Sequence, residues 1–390
     1  MSGRDNAGDA VSERSPIRVC IVAPSLDILG GQAVQAKRLL ERLSAQPAVR
    51  VEFLPVNPRL PGPLRLLQRI KYVRTLVTET VYVATLLLRL PRIDVAHIFS
   101  ASYFSFLLAP TPALFIARLF GKKTLLNYRS GEAEDHLQRW RTAVPILRRA
   151  DRIVVPSGYL VDVFARFGLE AEAIPNFVDF DLFRFCERDP LRPVFLANRN
   201  LEPHYNVACV LDAFARIQQA VPEARLIVAG DGSERRRLEE KAAALGLREV
   251  EFVGRVDQAG MARLYDRADI YLNASDIDNM PGSILEAYAS GLPVVTTDAG
   301  GIPYIVDHER TGLMVPRGDA AALAEQALRL LADPALARRI IREAYEECRR
   351  RYSWHAVEQQ WVALYRGVLR GGRARISPRA AAAHGATVRR

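Results

Sequence analysis

The chain has 390 residues, 49% of them apolar and 25% charged, with four cysteines and a formal net charge of +10. That length points to two domains rather than one core. Cys20, Cys186, Cys209 and Cys348 are too scattered for a disulfide framework or a CxxC metal knuckle, which suits a reducing compartment. The positive excess is local: residues 370–390 hold six arginines and no acid, and residues 58–92 hold seven basic residues against Glu79. The remainder is slightly acidic, which argues against a nucleic-acid partner.

Residues 1–16, MSGRDNAGDAVSERSP, are polar and lack the apolar core of a signal peptide, so a disordered leader on a cytoplasmic protein is expected. "IRVCIVAP" then reads as a strand, "SLDILGGQ" as a loop and "AVQAKRLLERL" as a helix. "VRVEFLPV" follows as a second strand. In residues 58–92 the basic side chains alternate with Leu, Ile, Val and Tyr. Such a segment can rest on an anionic membrane surface at the inner face of the cell membrane, each basic residue contributing roughly 1 kcal/mol. A solvated helix face is the other reading. Residues 98–117 carry no charge, but Pro110, Pro112 and the strand-like "DVAHIF" before them favour a buried strand and a packed helix over a membrane span.

"KKTLLNY" and "ADRIVVPS" continue the first series of strands. After "AIPNFVDFDLFRF" the alternation restarts with "PVFLANRN", "ARLIVAGDG", "EVEFVGRV", "ADIYLNAS" and "LPVVTTDAG", separated by helical runs. Alternation of this kind predicts an α/β fold of two Rossmann-like domains, with ligand bound at the carboxyl ends of the strands. The expected divisions are 17–187, 188–355, a last helix at 356–370 that could pack on either domain, and a basic disordered tail at 371–390.

The candidate chemistry lies where strands run into helices. Gly30 and Gly31 precede the first helix and would let a phosphate approach the backbone at a helix N-terminus; a plain turn explains them equally well. Gly300–Gly301 is a similar loop. Arg199 follows the first strand of the second half, where a guanidinium can grip a diphosphate bidentately; a surface pair with Glu202 is the alternative. In "DNMPGSILEAYASG", residues 278–291, Ser283 and Glu286 have the S-x-x-E spacing of a capping box. Asp276 and Asp278 also have the spacing of a metal-binding D-x-D.

Taken together, "IPNFVD", "VAGDG", "VEFVGRV" and above all "DNMPGSILEAYASGLPVV" resemble the family-4 retaining glycosyltransferases of GT-B fold, over about residues 17–370. The resemblance implies an acceptor domain at 17–187 and a nucleotide-sugar donor domain at 188–355. It implies transfer from a nucleotide-diphosphate sugar to a glycan or lipid-linked acceptor, as in envelope or exopolysaccharide synthesis. No metal and no cofactor beyond the donor substrate are expected. Carried over, the catalytic set would be Asp278, Arg199, Glu286, His97 and Arg129, although His97 could equally be a core histidine. The donor would be lined by Gly30, Gly31, Asn206, Gly230, Gly254, Asn279, Met280, Pro281, Gly282, Ser283 and Glu286.

The sequence departs from the family pattern at several positions. Asp278 stands where E-x7-E has its first glutamate. No lysine follows Arg199 in "RNLEPHYN". Phe177 replaces the glycine of I-P-N-G, Tyr304 replaces an acid, and Arg129 stands where a histidine is frequent. A non-catalytic nucleotide-sugar or glycan binding module, or an epimerase of the same fold, are the alternatives.

Overall fold

The computed structural model describes residues 15–26, 31–59, 70–100 and 102–371. Gly30, part of the basic segment 58–92, and nearly all of the expected disordered ends lie outside these residues.

The first half runs β1 (Ile17–Ala23), α1 (Gly31–Ser44), β2 (Val49–Pro55), α2 (Lys71–Arg89), β3 (Val95–Ser100), α3 (Tyr103–Leu108) and α4 (Pro110–Leu119). It continues through β4 (Lys123–Tyr128), α5 (Ala133–Arg139), α6 (Ala143–Leu147), β5 (Arg152–Val155), α7 (Gly158–Arg166) and β6 (Glu172–Ala173). Its sheet has the order β2-β1-β3-β4-β5-β6. The uncharged stretch from Ile98 divides into the end of β3 and two short helices, the second opened by Pro110 at its first turn, where a missing N–H costs nothing. Among the described residues no helix is long and apolar enough to cross a membrane.

The second half runs β7 (Val194–Ala197), α8 (Val207–Ala220), β8 (Arg225–Ala229), α9 (Arg235–Ala244), β9 (Val250–Gly254), α10 (Gln258–Arg267) and β10 (Ile270–Asn273). Then come α11 (Gly282–Ser290), β11 (Val294–Thr297), β12 (Leu313–Val315), α12 (Ala320–Ala332), α13 (Pro334–Tyr352) and α14 (Trp354–Leu369). The sheet order is β12-β11-β10-β7-β8-β9, and every pair is parallel. This is the doubly wound order read from one edge, with the switch point between β7 and β10. Helices cover both faces. Phe195, Val210, Phe214, Leu272, Leu323 and Ile340 fill one core, and Leu196, Tyr265, Tyr271, Ile284, Tyr288 and Ala344 fill the other. A sheet buried on both faces explains why its strands read as nearly unbroken apolar runs.

Two compact units emerge. One takes the chain up to Tyr128, Thr142–Ile153 and the chain from Trp361; the other takes Arg129–Arg141 and Val154–Gln360. The second unit reaches back before residue 188 because Ser157, Asp162 and Asn176 bond to Asn279, Tyr304 and Met280. Helix α14 is divided between the units: Trp354 packs its ring on Phe177, while Trp361 and Tyr365 pack on His97.

Candidate functional site

Arg199 leaves the carboxyl end of β7, and the acidic loop 276–281 leaves the neighbouring strand β10, so the two stand side by side at the switch point. The Arg199 guanidinium is largely buried. Its Nη2 donates to Asp278 Oδ2 at 2.6 Å and its Nη1 to Ser283 Oγ at 3.2 Å. Its Cζ lies 4.2 Å from the centroid of the Tyr205 ring, and its Nε is buried with no partner. Burial works against the charge, yet Asp278 holds Arg199 above an arginine's already high value. The expected surface pair with Glu202 does not form, because Glu202 accepts from the Ser233 hydroxyl at 2.6 Å instead.

Helix α11 opens at Gly282 with Pro281 at its N-cap and no capping side chain. The expected capping box is therefore absent. Ser283 sits at the second helical position and Glu286 at the fifth, too far in to cap, and both are taken by tertiary partners. Tyr265, from α10, donates to the Ser283 carbonyl at 2.8 Å and lies 3.4 Å from Glu286 Oε2. It accepts in turn from Asn198 Nδ2 at 2.9 Å. Burial, and next the Glu286 charge, raise Tyr265 far above a phenol's usual value, so it remains a donor. The first amides of α11 are those a helix leaves without an internal partner, and with the helix dipole they favour an anion.

The acidic loop is held from several sides. Asn279 Oδ1 accepts from Ser157 Oγ at 2.5 Å, and Asn176 donates to the Met280 carbonyl at 2.9 Å. Asp276 faces Asn206 Nδ2 at 3.3 Å while Asp278 faces Arg199, so the two aspartates of D-x-D engage different partners. A Cβ on Gly300 would stand 2.2 Å from the Asp278 carbonyl, and one on Gly301 1.9 Å from that of Asn279. Those glycines make room for the loop. Gly230 does the same for Arg199: it has φ +128, and a Cβ there would stand 2.4 Å from the Arg199 carbonyl. Its amide donates to Gly254, whose φ is +79.

The comparisons agree with this architecture. The model for "Glycosyltransferase Family 4" matches residues 17–182, and that for "Glycosyl transferases group 1" matches residues 182–347. The chain belongs to the family-4 glycosyltransferases. It is 31% identical over 211 residues to a phosphatidyl-myo-inositol mannosyltransferase of Mycobacterium leprae, a match covering 53% of this chain and 56% of that protein. The chain thus spans little more than half the length of that relative. It is 33% identical over 162 residues to the N-acetyl-alpha-D-glucosaminyl L-malate synthase of Bacillus anthracis, covering 41% and 42% of the two chains. Among solved structures, a sucrose-phosphate synthase from Thermosynechococcus elongatus superposes with TM-score 0.75 at 22% identity, over 91% of this chain and all of that one. Anabaena HepE in complex with UDP and glucose gives 0.69 at 21%, over 89% and 99%. At such identities these two speak to the fold, which is GT-B.

Other positions carried over from the family pattern fall differently. His97 is fully buried in β3. Asn127 Nδ2 lies 2.9 Å from its Nε2, and the Tyr365 hydroxyl lies 2.8 Å from its Nδ1. With Asn127 donating, the ring proton sits on Nδ1 and is given to Tyr365. These partners place His97 in a core, the second of the two readings its position allowed. Gly31 begins α1 exposed, with open space around it, in the first unit. Asn206 takes the left-handed φ of 45° and caps α8, its Oδ1 accepting from the Cys209 amide at 3.2 Å, so its side chain is structural first. Burial pushes Arg129 down to about 10. Its loop runs beside the acidic loop, where a Cβ on Gly131 would be 3.5 Å from Ile277. Phe177 fills its position by packing on Trp354, and Tyr304 donates to Asp162 Oδ2 at 2.5 Å.

Tyr205, Tyr265 and Asn198 were not foreseen. Tyr265 carries no local signal, since only the fold brings α10 to α11. Asn198 and Tyr205 lie within seven residues of Arg199, but nothing in their spacing announces which way they turn.

Proposed function

We propose that this protein is a retaining glycosyltransferase that moves a sugar from a nucleotide-diphosphate donor to a glycan or lipid-linked acceptor in envelope or exopolysaccharide synthesis. The observation that carries the reading is the convergence, at the switch point of the second sheet, of buried Arg199, the uncapped start of α11 and Glu286 one turn further on. In this reading Glu286 accepts from the ribose hydroxyls, while Asp278 to Ser283 line the sugar and phosphates. Asn279 and Met280 are held there by Ser157 and Asn176. The C1–oxygen bond to the diphosphate breaks as the acceptor hydroxyl adds on the same face, and its proton passes to the departing phosphate oxygen. Arg199 and the α11 amides, preorganised and sheltered from water, take up the charge that develops on that leaving group without a bound metal. Asp278 in the place of a glutamate marks the chain as a divergent member of its family.

Incubating the full chain with UDP-, GDP-, ADP- and dTDP-sugars and measuring nucleotide release tests this. Release with one donor, abolished in Glu286→Ala, is expected. Release with none contradicts the reading; binding without turnover identifies a binding module, and a changed sugar without acceptor identifies an epimerase.

An anionic membrane surface is the proposed place of action. On α2, Leu76, Leu87 and Leu88 are exposed, as are Phe104 on α3, Phe115 and Leu119 on α4, and Phe120. Arg149 lies over the Phe115 ring, and Arg118 donates to the Arg149 carbonyl, so two cations stand near the exposed Phe115. Sedimentation with phosphatidylglycerol vesicles, lost on Leu88→Glu/Leu119→Glu and absent with phosphatidylcholine, is the expected outcome. Equal recovery with both lipids contradicts it.

A further inference from the structure

We propose that Tyr205 is a positioning residue for Arg199. Its ring face sets the plane in which the guanidinium meets the donor diphosphate, an inference that rests on the donor reading above.

Arg199 is the one Lys or Arg in the stretch 199–206, RNLEPHYN. Two edge bonds, to Asp278 and to Ser283, define where its nitrogens end. They leave rotation about the line joining those partners. A ring 4.2 Å away across the face removes that freedom and adds a cation–π attraction, which is strongest where water is excluded.

The ring is itself well anchored. Residues Pro203–Tyr205 form one 3-10 turn, with the Tyr205 amide on the Glu202 carbonyl at 3.0 Å and the Asn206 amide on the Pro203 carbonyl at 3.0 Å. Asn206 then locks the turn to α8. The His204 carbonyl accepts from the amides of Asp276 and Ile277 at 2.9 and 3.3 Å, and the His204 ring lies 4.1 Å from that of Tyr205. One short turn therefore couples the Arg199 plane to the loop that carries Asp278. Asp278 offsets much of the Arg199 charge at one edge, so orientation decides how well the remaining N–H groups of the guanidinium grip a phosphate.

The test is calorimetric titration of the full chain at low salt with UDP and GDP, using whichever the wild type binds. Tyr205→Leu removes the π face at similar bulk and should weaken binding roughly tenfold, with donor turnover falling alongside. Tyr205→Phe, which keeps the face and drops the hydroxyl, should stay within about twofold of wild type. In an Arg199→Gln background the Tyr205→Leu change should have little further effect, because the tyrosine acts through the arginine. Unchanged affinity in Tyr205→Leu overturns the inference and leaves the donor reading intact. So does an equal loss in both backgrounds, which marks a general packing role. A wild type that binds neither diphosphate removes the donor reading and this inference with it.

Discussion

Arg199 and Asp278 are 14% and 9% exposed at their side chains, so neither charge is well hydrated without the other. A buried pair is a poor source of net stability, but removing one partner leaves the other desolvated and uncompensated, at about 3–5 kcal/mol. Asp278→Ala should therefore lower the unfolding free energy by about that much, and Arg199→Met/Asp278→Leu should recover most of it. Equal losses in urea titrations of the two variants would contradict this view of the pair. Glu347 on α13 offers a separate test by pH. Burial of its carboxyl opposes ionisation, but Arg351 and Arg350 outweigh it and hold the group below its usual 4.5. The folded value lies below the unfolded one, so the stabilisation is complete above about pH 4.5 and is lost as pH falls through the folded value. Glu347→Gln should cost about 2 kcal/mol at pH 7 and progressively less below pH 4.5. A loss that does not shrink in acid would rule out this ion pairing.

At the scale of elements, the site is a set of loops at the carboxyl ends of β7, β8, β10 and β11 that lean on one another. Gly301 decides how close the last of these comes to the acidic loop: its amide donates to the Asp278 carbonyl at 3.0 Å, with no room for a Cβ. Gly301→Ala should displace Asn279 and cut donor affinity at least tenfold while leaving both sheets folded, read by titration alongside far-ultraviolet circular dichroism. Wild-type affinity in that variant would show the contact to be dispensable. Helix α11 shows how far local pattern reached. Its start near Gly282 and its end at Gly291, which has φ 77, were both legible, since a left-handed glycine is a strong stop. The S-x-x-E within it was misleading, because Pro281 took the cap and long-range partners took Ser283 and Glu286. Spacing records what a residue can do locally, while Arg199 and Tyr265 arrive through the fold.

At the scale of the molecule, both α/β halves were visible in the alternation of apolar runs, because parallel strands covered on both faces have almost no polar positions. The strands that escaped, β6 and β12, are two and three residues long, too short for any period. Sheet order escaped as well, and it is the order that makes the site, since the carboxyl ends of β7 and β10, Ala197 and Asn273, are 76 residues apart in sequence yet adjacent in space. His97 shows the opposite limit: its motif is local and leaves its role open, while its partners Asn127 and Tyr365 come from β4 and α14 and enclose it in a core. The proposed activity requires the second half to hold a nucleoside diphosphate against Arg199 and the start of α11. Titration of the full chain with UDP and GDP, in wild type and in Arg199→Gln, tests that most directly. Binding of one of them by the wild type, weakened at least tenfold in the variant and diminished by added salt, is the predicted result. Wild-type binding that Arg199→Gln leaves unchanged would contradict it.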